Sequence, residues 1–380
     1  MRLRTPRYTI TALGVVVLVN LSASRVYALF KFNEARDQLF VTVTAGVGYD
    51  SNIFATKDGE GDVFTNSSLA LEYVRHAGLI SVNSELAWNL GSFNSNPAQD
   101  FQNPSLSLEL VKNTGRTTGS YTLSATRQSQ ADTNIGMRTD SWNYNTGLNW
   151  KYPVIERYSL AGSLGYGLID YVDNSIGLVD LNTYTANVDL FYAYNSQRDL
   201  VAGYRIRRSE GSSQSQTTDH AITAGVSGKI LAKLNGSLRV GYQIRQEDAT
   251  GETFGSYTAS AATTWTVNKR LTATASLNKD FSTTATDSSV DTTTFNLDAQ
   301  YIIRLRWSVQ SGVGAGYNDF LSGIDSGRED YYVTWNAGLN YSINEHFKAS
   351  LTYSYFHNWS NRSASNYDRN SISLNLSSRW

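Results

Sequence analysis

From Leu39 onward, the apolar side chains of this chain fall on every second position almost everywhere. Val41, Val43, Ala45 and Val47 alternate with Thr42, Thr44, Gly46 and Gly48, and Tyr331, Val333, Trp335, Ala337, Leu339 and Tyr341 alternate with Tyr332, Thr334, Asn336, Gly338 and Asn340. A period of two gives a strand one greasy and one polar face, and gives a helix neither. About 18 such segments follow one another, beginning near residues 39, 65, 79, 104, 117, 139, 158, 182, 198, 217, 234, 255, 270, 292, 307, 329, 346 and 366. Many exceed the roughly 5 to 6 residues of a soluble strand and reach the roughly 9 to 11 that cross a bilayer at a tilt.

The links between segments alternate in length. Short ones fall near 75–77, 112–116, 153–157, 195–197, 232–233, 268–269, 305–306 and 344–345, with longer polar ones of about 9 to 16 residues between them, so the two kinds of link lie at opposite ends of the strands. Long strands, apolar-out and polar-in alternation, short turns at one end and longer loops at the other predict an all-β fold: a closed antiparallel transmembrane β-barrel of about 18 strands, with 16 as the alternative count. No stretch after Ala28 is long and apolar enough for a spanning helix, and a closed sheet is the other structure that satisfies every backbone group within a membrane. The rival is a secreted β-sandwich or β-solenoid. Aromatic residues of the apolar parity, such as Tyr144, Trp150, Tyr192, Tyr257, Trp307 and Tyr331, gather toward strand ends, where interfacial girdles belong.

Residues 1–28 read as a secretory signal peptide: Arg2, Arg4 and Arg7 precede an apolar run from Ala12 to Leu21, and Val26-Tyr27-Ala28 offers a cleavage site. The barrel is then assigned to residues 29–380. Absence of Cys rules out a disulfide framework and a thiolate metal site, and a net charge of -1 argues against nucleic acid as a partner.

At the first junction of strand and loop the sequence reads Gly48-Tyr49-Asp50-Ser51-Asn52-Ile53-Phe54. With the signal peptide, the strand pattern and an aromatic Trp380 at the end of the last segment, this resembles the putative β-barrel porin 2 family of Gram-negative outer-membrane proteins, some of which are encoded beside exopolysaccharide systems. The resemblance implies the outer membrane as location and outer-membrane lipid as surroundings. It also implies that the alternating Ile372, Leu374 and Leu376, closing on Trp380, form the signal read by the barrel-assembly machinery; Ser378 departs from that pattern. Wording related to Asp50-Ser51-Asn52 recurs at 132–135 and 173–176, where Asp and Asn as turn formers weigh against a calcium-binding role.

No catalytic, cofactor-binding or metal-binding constellation emerges. His76, His220, His346 and His357 have no ligand-spaced partner, and no G-x-S-x-G elbow occurs. Gly225-Val226-Ser227-Gly228-Lys229 lies within a strand pattern rather than before a helix, so it reads as strand and not as a phosphate loop. Gly312, Gly314 and Gly316 share one face, as a bare strip on which neighbouring side chains can lie flat.

Polar parity places the acidic Glu72, Glu85 and Glu109 inward on early strands, and the basic Arg205, Arg207, Lys229, Arg239 and Arg245 inward on later ones. Two arrangements are open: opposed charged walls that set a transverse field across a wet passage, or local pairing with neighbours such as Asp189, Asp219 and Glu247. A barrel this wide should hold an aqueous channel, since its loops are too short for an obvious plug. The expected function is passive passage of polar solutes through a porin-like channel, without catalysis. The alternatives are a conduit for exopolysaccharide export and a structural or surface-binding barrel with a closed lumen.

Overall fold

The computed structural model describes residues 28–33, 36–76, 78–132, 137–172, 177–213 and 215–380. The signal-peptide segment up to residue 27, and most of the repeated motif at 132–135 and 173–176, lie outside the described residues. The strands are β1 (Phe30–Phe32), β2 (Asp37–Asp50), β3 (Asp62–Arg75), β4 (Ser81–Phe93), β5 (Phe101–Lys112), β6 (Thr118–Asp132), β7 (Met137–Ile155), β8 (Tyr158–Tyr171), β9 (Leu181–Asn195) and β10 (Arg198–Gly211). They continue with β11 (Gln216–Leu231), β12 (Leu234–Glu247), β13 (Thr253–Thr266), β14 (Leu271–Thr283), β15 (Ser289–Arg304), β16 (Trp307–Phe320), β17 (Glu329–Ser342), β18 (Phe347–Ser360) and β19 (Tyr367–Arg379).

Each of β2 to β19 pairs antiparallel with its neighbours in the chain, and β19 pairs with β2, so 18 strands close into a barrel. Every one begins within three residues of a period-two segment, because the hydrophobic pattern fixes register wherever one face is apolar. The alternative of 16 strands is excluded.

Closure is completed at the last residue. β19 runs along β2 from Ser371 opposite Asp50 to Arg379 opposite Thr42, and Trp380 then exchanges both backbone hydrogen bonds with Val41, each 2.9 Å. The indole stacks on His346 with ring centroids 3.9 Å apart. Below that point the short β1 takes over the edge of β2, placing Phe30 opposite Leu39 and Phe32 opposite Asp37; this extra strand has no counterpart in the sequence pattern.

The loops are shorter than expected, because the strands run on into them. The longest link among those bounded by described strands is residues 51–61, and several turns, such as 156–157 and 232–233, have two residues. Among the described residues no helix is long and apolar enough to cross a membrane. The outer face instead carries a band of exposed apolar side chains around the ring, including Val43, Leu69, Leu86, Leu164, Val240 and Val313. At the short-turn end Trp307 packs on Tyr341 and Tyr158 on Tyr192; at the loop end Tyr317 packs on Tyr331 and Tyr242 on Tyr257. An apolar band between two aromatic girdles is the exterior that a bilayer selects.

The inner face is polar. The glycine strip of β16 behaves as the sequence suggests: a methyl group on Gly312 would meet the carboxylate of Asp298 and the amide of Asn336, and one on Gly316 would meet the ring of Tyr332. Side chains of β15 and β17 thus lie flat across β16 from both sides.

Three seams in the ring are short. β13 and β14 share eight residue pairs, from Ala259 opposite Lys279 to Thr266 opposite Thr272. β5 and β6 also share eight, and β19 and β2 share nine. The unpaired lengths at β5/β6 and β13/β14 lie at the loop end.

The candidate lumen and the hairpin across its mouth

Beyond its last ladder pair with β13, β14 stays bound to β15 as far as Thr283 opposite Ser289. Released on one side, this hairpin tip leans into the barrel. Its outer residues from Ser282 to Ser289 are nearly all small and polar, so the backbone can lie close to the wall. Side chains take over from the missing rungs: the Thr258 hydroxyl donates to the carbonyl of Lys279 at 2.9 Å, and the Ser256 hydroxyl to Asp291 at 2.6 Å. Phe281, Val290, Ser288 and Ser289 are buried as a result.

Three arginines and two aspartates hold the tip. Arg205 of β10 donates twice to Asp280 of β14, at 2.7 and 2.6 Å. Arg207 bridges both acids, with Nη1 3.1 Å from Asp280 and Nε 2.8 Å from Asp219, and its Nη2 donates to the carbonyl of Phe281 at 2.6 Å. Arg245 of β12 grips Asp219 through Nε and Nη2 at 2.7 and 2.9 Å and donates from Nη1 to the carbonyl of Ser282 at 2.6 Å. Arg245 and Asp219 are both 0% exposed. Such burial of charge is tolerable only with paired and hydrogen-bonded partners, and the cluster of three cations with two anions keeps one net positive charge.

The far side of the tip is fastened to two loops. The Val179 N–H donates to the carbonyl of Ala285 at 2.8 Å, and the Ser213 hydroxyl to Asp287 at 2.5 Å. Glu247 accepts hydroxyls from Ser289 and Ser322, each at 2.5 Å. The expectation that short loops leave the mouth open is therefore corrected: a strand hairpin, rather than a loop, crosses part of it.

Four of the five basic residues named from sequence take the paired arrangement. Arg205, Arg207 and Arg245 sit in the cluster just described, and Arg239 meets Asp189 at 2.8 Å. That last bridge passes over Gly203, where a methyl would come 2.1 Å from the Asp189 carboxylate. Arg245 faces inward but is covered by the tip, so it does not line open lumen. Lys229 lies near the short-turn end of β11 and is half-buried. Glu247 pairs with hydroxyls, not with an arginine.

On the other wall, Glu72 accepts from Arg379 at 2.5 Å, Glu85 stands opposite Glu72 in register, and Glu109 is exposed. All three acids lie toward the short-turn end of β3, β4 and β5, whereas the arginine cluster lies toward the loop end of β10 and β12. Offset along the axis and largely neutralised on the basic side, these walls do not oppose each other as a transverse field requires. Sequence reading missed Asp280 and Gln243, because Asp280 meets the arginines only when β14 bends inward.

The motif at the first loop has a structural task. Tyr49 faces outward; Asp50 faces inward, receives Arg369 of β19 at 2.5 Å and accepts the N–H of Asn52 at 3.0 Å. The Asn52 amide donates to the carbonyls of Thr56 and Asp368, at 2.8 and 3.1 Å, and Ile53 is fully buried. Tyr-Asp-Ser-Asn-Ile-Phe thus pins the loop 51–61 and the closing seam to each other. Among the described residues no group of three or more His, Cys, Asp or Glu could hold a metal ion.

Closed ring, apolar band, aromatic girdles and polar interior together define a transmembrane β-barrel. Residues 213–379, from just before β11 to the end of β19, match the model of the family described as Putative beta-barrel porin 2. No curated protein matches the chain. Similar solved structures include OccK2 (OpdF) of Pseudomonas aeruginosa, at 11% identity over 90% of this chain and 97% of that one with a TM-score of 0.49. OccAB2 of Acinetobacter baumannii gives 9% identity over 90% and 98% with a TM-score of 0.48. The FrpB iron transporter of Neisseria meningitidis (F5-1 variant) gives 9% over 90% and 82%, also with a TM-score of 0.48.

Proposed function

We propose that this protein is an outer-membrane channel of the porin kind, through which polar solutes pass by diffusion. The observation that carries the reading is the contrast of faces on one closed 18-strand ring: a lipid-compatible exterior around an interior of amides, hydroxyls and charges floored in places by glycine. Eighteen strands enclose more space than wall side chains fill. Outer-membrane location follows from the same contrast, supported by the family match over 213–379. Conductance of the purified barrel in a planar bilayer tests the reading. Stepwise insertion of ohmic channels that also admit small sugars in a liposome-swelling assay is the expected result; folded, inserted protein with no conductance would remove it.

The hairpin tip in the mouth favours a second reading, a barrel whose lumen is closed at rest and whose outer surface matters. The same recording decides between the two. Export of exopolysaccharide has no particular residue of this chain in its support.

A further inference from the structure

The arginine cluster has more donors than the chain has acceptors to give it. Gln243 of β12 is 0% exposed; its carbonyl oxygen accepts from Arg205 Nη2 at 3.4 Å, but its amide nitrogen has no partner. The Nε of Arg205, next to it, is likewise buried without an acceptor. Both atoms belong to the wall and neither belongs to the tip. A fixed array of guanidinium and amide donors with unfilled capacity and one excess positive charge is a receptor for a planar anion, and one planar anion is already there: the Asp280 carboxylate, held by two arginines and carried by a strand that has left its ladder with β13.

We propose that Arg205, Arg207 and Gln243 form a carboxylate-binding site on the lumen wall, that Asp280 occupies it in the resting protein as a built-in surrogate ligand, and that a carboxylate solute displaces Asp280 and swings the hairpin tip away from the mouth. Arg245 and Asp219 stay together beneath as the fixed base of the site, since both belong to the wall. The seam between β13 and β14 gives the tip its freedom on that side, because no ladder bond to β13 beyond Ala259 has to break, while β15 keeps its ladder to β16 as far as Val290. The remaining ties are the loop hydrogen bonds of Val179, Ser213 and Leu321, the Ser256 and Thr258 hydroxyls, the Ser289 hydroxyl on Glu247 and the arginine bonds to tip carbonyls.

The inference rests on the channel reading for its consequence but not for its binding step, so the two are tested apart. The binding step uses succinate as probe on purified, folded barrel in detergent, followed by titration calorimetry and by hydrogen exchange of residues 280–290. Asp280→Asn removes the surrogate. If the tip fills the site in nine molecules of ten or more, succinate should bind Asp280→Asn at least about tenfold more tightly than wild type, and Arg205→Gln with Arg207→Gln should abolish binding. Succinate should also speed exchange at 280–290 in the wild type. Equal affinity of wild type and Asp280→Asn, or undiminished binding without the two arginines, overturns the site even if the barrel conducts.

The gating step uses single-channel recording. Succinate on the loop side should raise the open level of the wild type, whereas Asp280→Asn should start at that level and a Val179→Cys, Ala285→Cys pair should hold the low level until reduced; the native chain has no Cys to interfere. A wild type that binds succinate yet never conducts defeats the channel and leaves the site standing. A response to succinate no larger than that to an uncharged diol defeats the gate.

Discussion

Single residues divide by the face they occupy, and the two faces should answer to different substitutions. Val313 is central in β16 and exposed to lipid, so Val313→Arg should cost about 2–4 kcal/mol of folding stability in a bilayer, read from urea unfolding into lipid vesicles. On the inner face the distinction is what a glycine touches. A methyl on Gly241 would lie 1.9 Å from the carbonyl oxygen of Ile222 and 2.8 Å from Cα of Thr223, both backbone. One on Gly312 would meet only the ends of the Asp298 and Asn336 side chains. Gly241→Ala should therefore destabilise by about 1–3 kcal/mol, and Gly312→Ala by clearly less; equal losses in the same assay would mean that the wall of β11 and β12 yields as easily as a side chain.

Elements were legible from the sequence to the extent that alternation defines them. All 18 long strands were, since a shift by one residue would turn every apolar side chain inward. The inward lean of the β14–β15 tip was not, because Ser282 to Ser289 reads the same whether it spans the mouth or hangs outside it. Nor was the partner of each arginine: parity says that Arg205 and Asp280 share the interior, not that strands four apart in the ring bring them together. The loop after β4 shows how such ties should respond to pH. Burial alone would raise the carboxyl of Asp62, at the loop end of β3, but hydrogen bonds from the Asn96 side chain and the N–H groups of Ser95, Asn96 and Val63 outweigh it and hold the group below its usual range. A lowered carboxylate stabilises above its unfolded pKa and loses that contribution as pH falls through the folded one. Amide resonances of Ser95 and Asn96 should thus titrate with a midpoint below the roughly 3.9 of a free aspartate, and Asp62→Asn should flatten the curve. A midpoint at or above the free value would mean that the anchor does not favour the ionised form.

At the scale of the whole molecule, closure depends on few contacts. Deleting Trp380 removes two backbone hydrogen bonds to Val41 and the stack on His346 at a seam that has only nine other residue pairs. We expect unfolded chain to accumulate on heat-modifiability gels while the fraction that does fold conducts normally; normal folding yield would show that the last rung is dispensable. The three short seams carry a further consequence. They cut the ring into plates of four, eight and six strands, β2–β5, β6–β13 and β14–β19. A hoop jointed in this way does not breathe uniformly when the bilayer squeezes or stretches it; strain gathers at the joints while the plates stay stiff. Because the tip lies on the edge strand of the six-strand plate, the joint of that plate with the eight-strand plate is also the joint beside the tip, so the response of the wall to the lipid and the position of the tip depend on the same eight rungs.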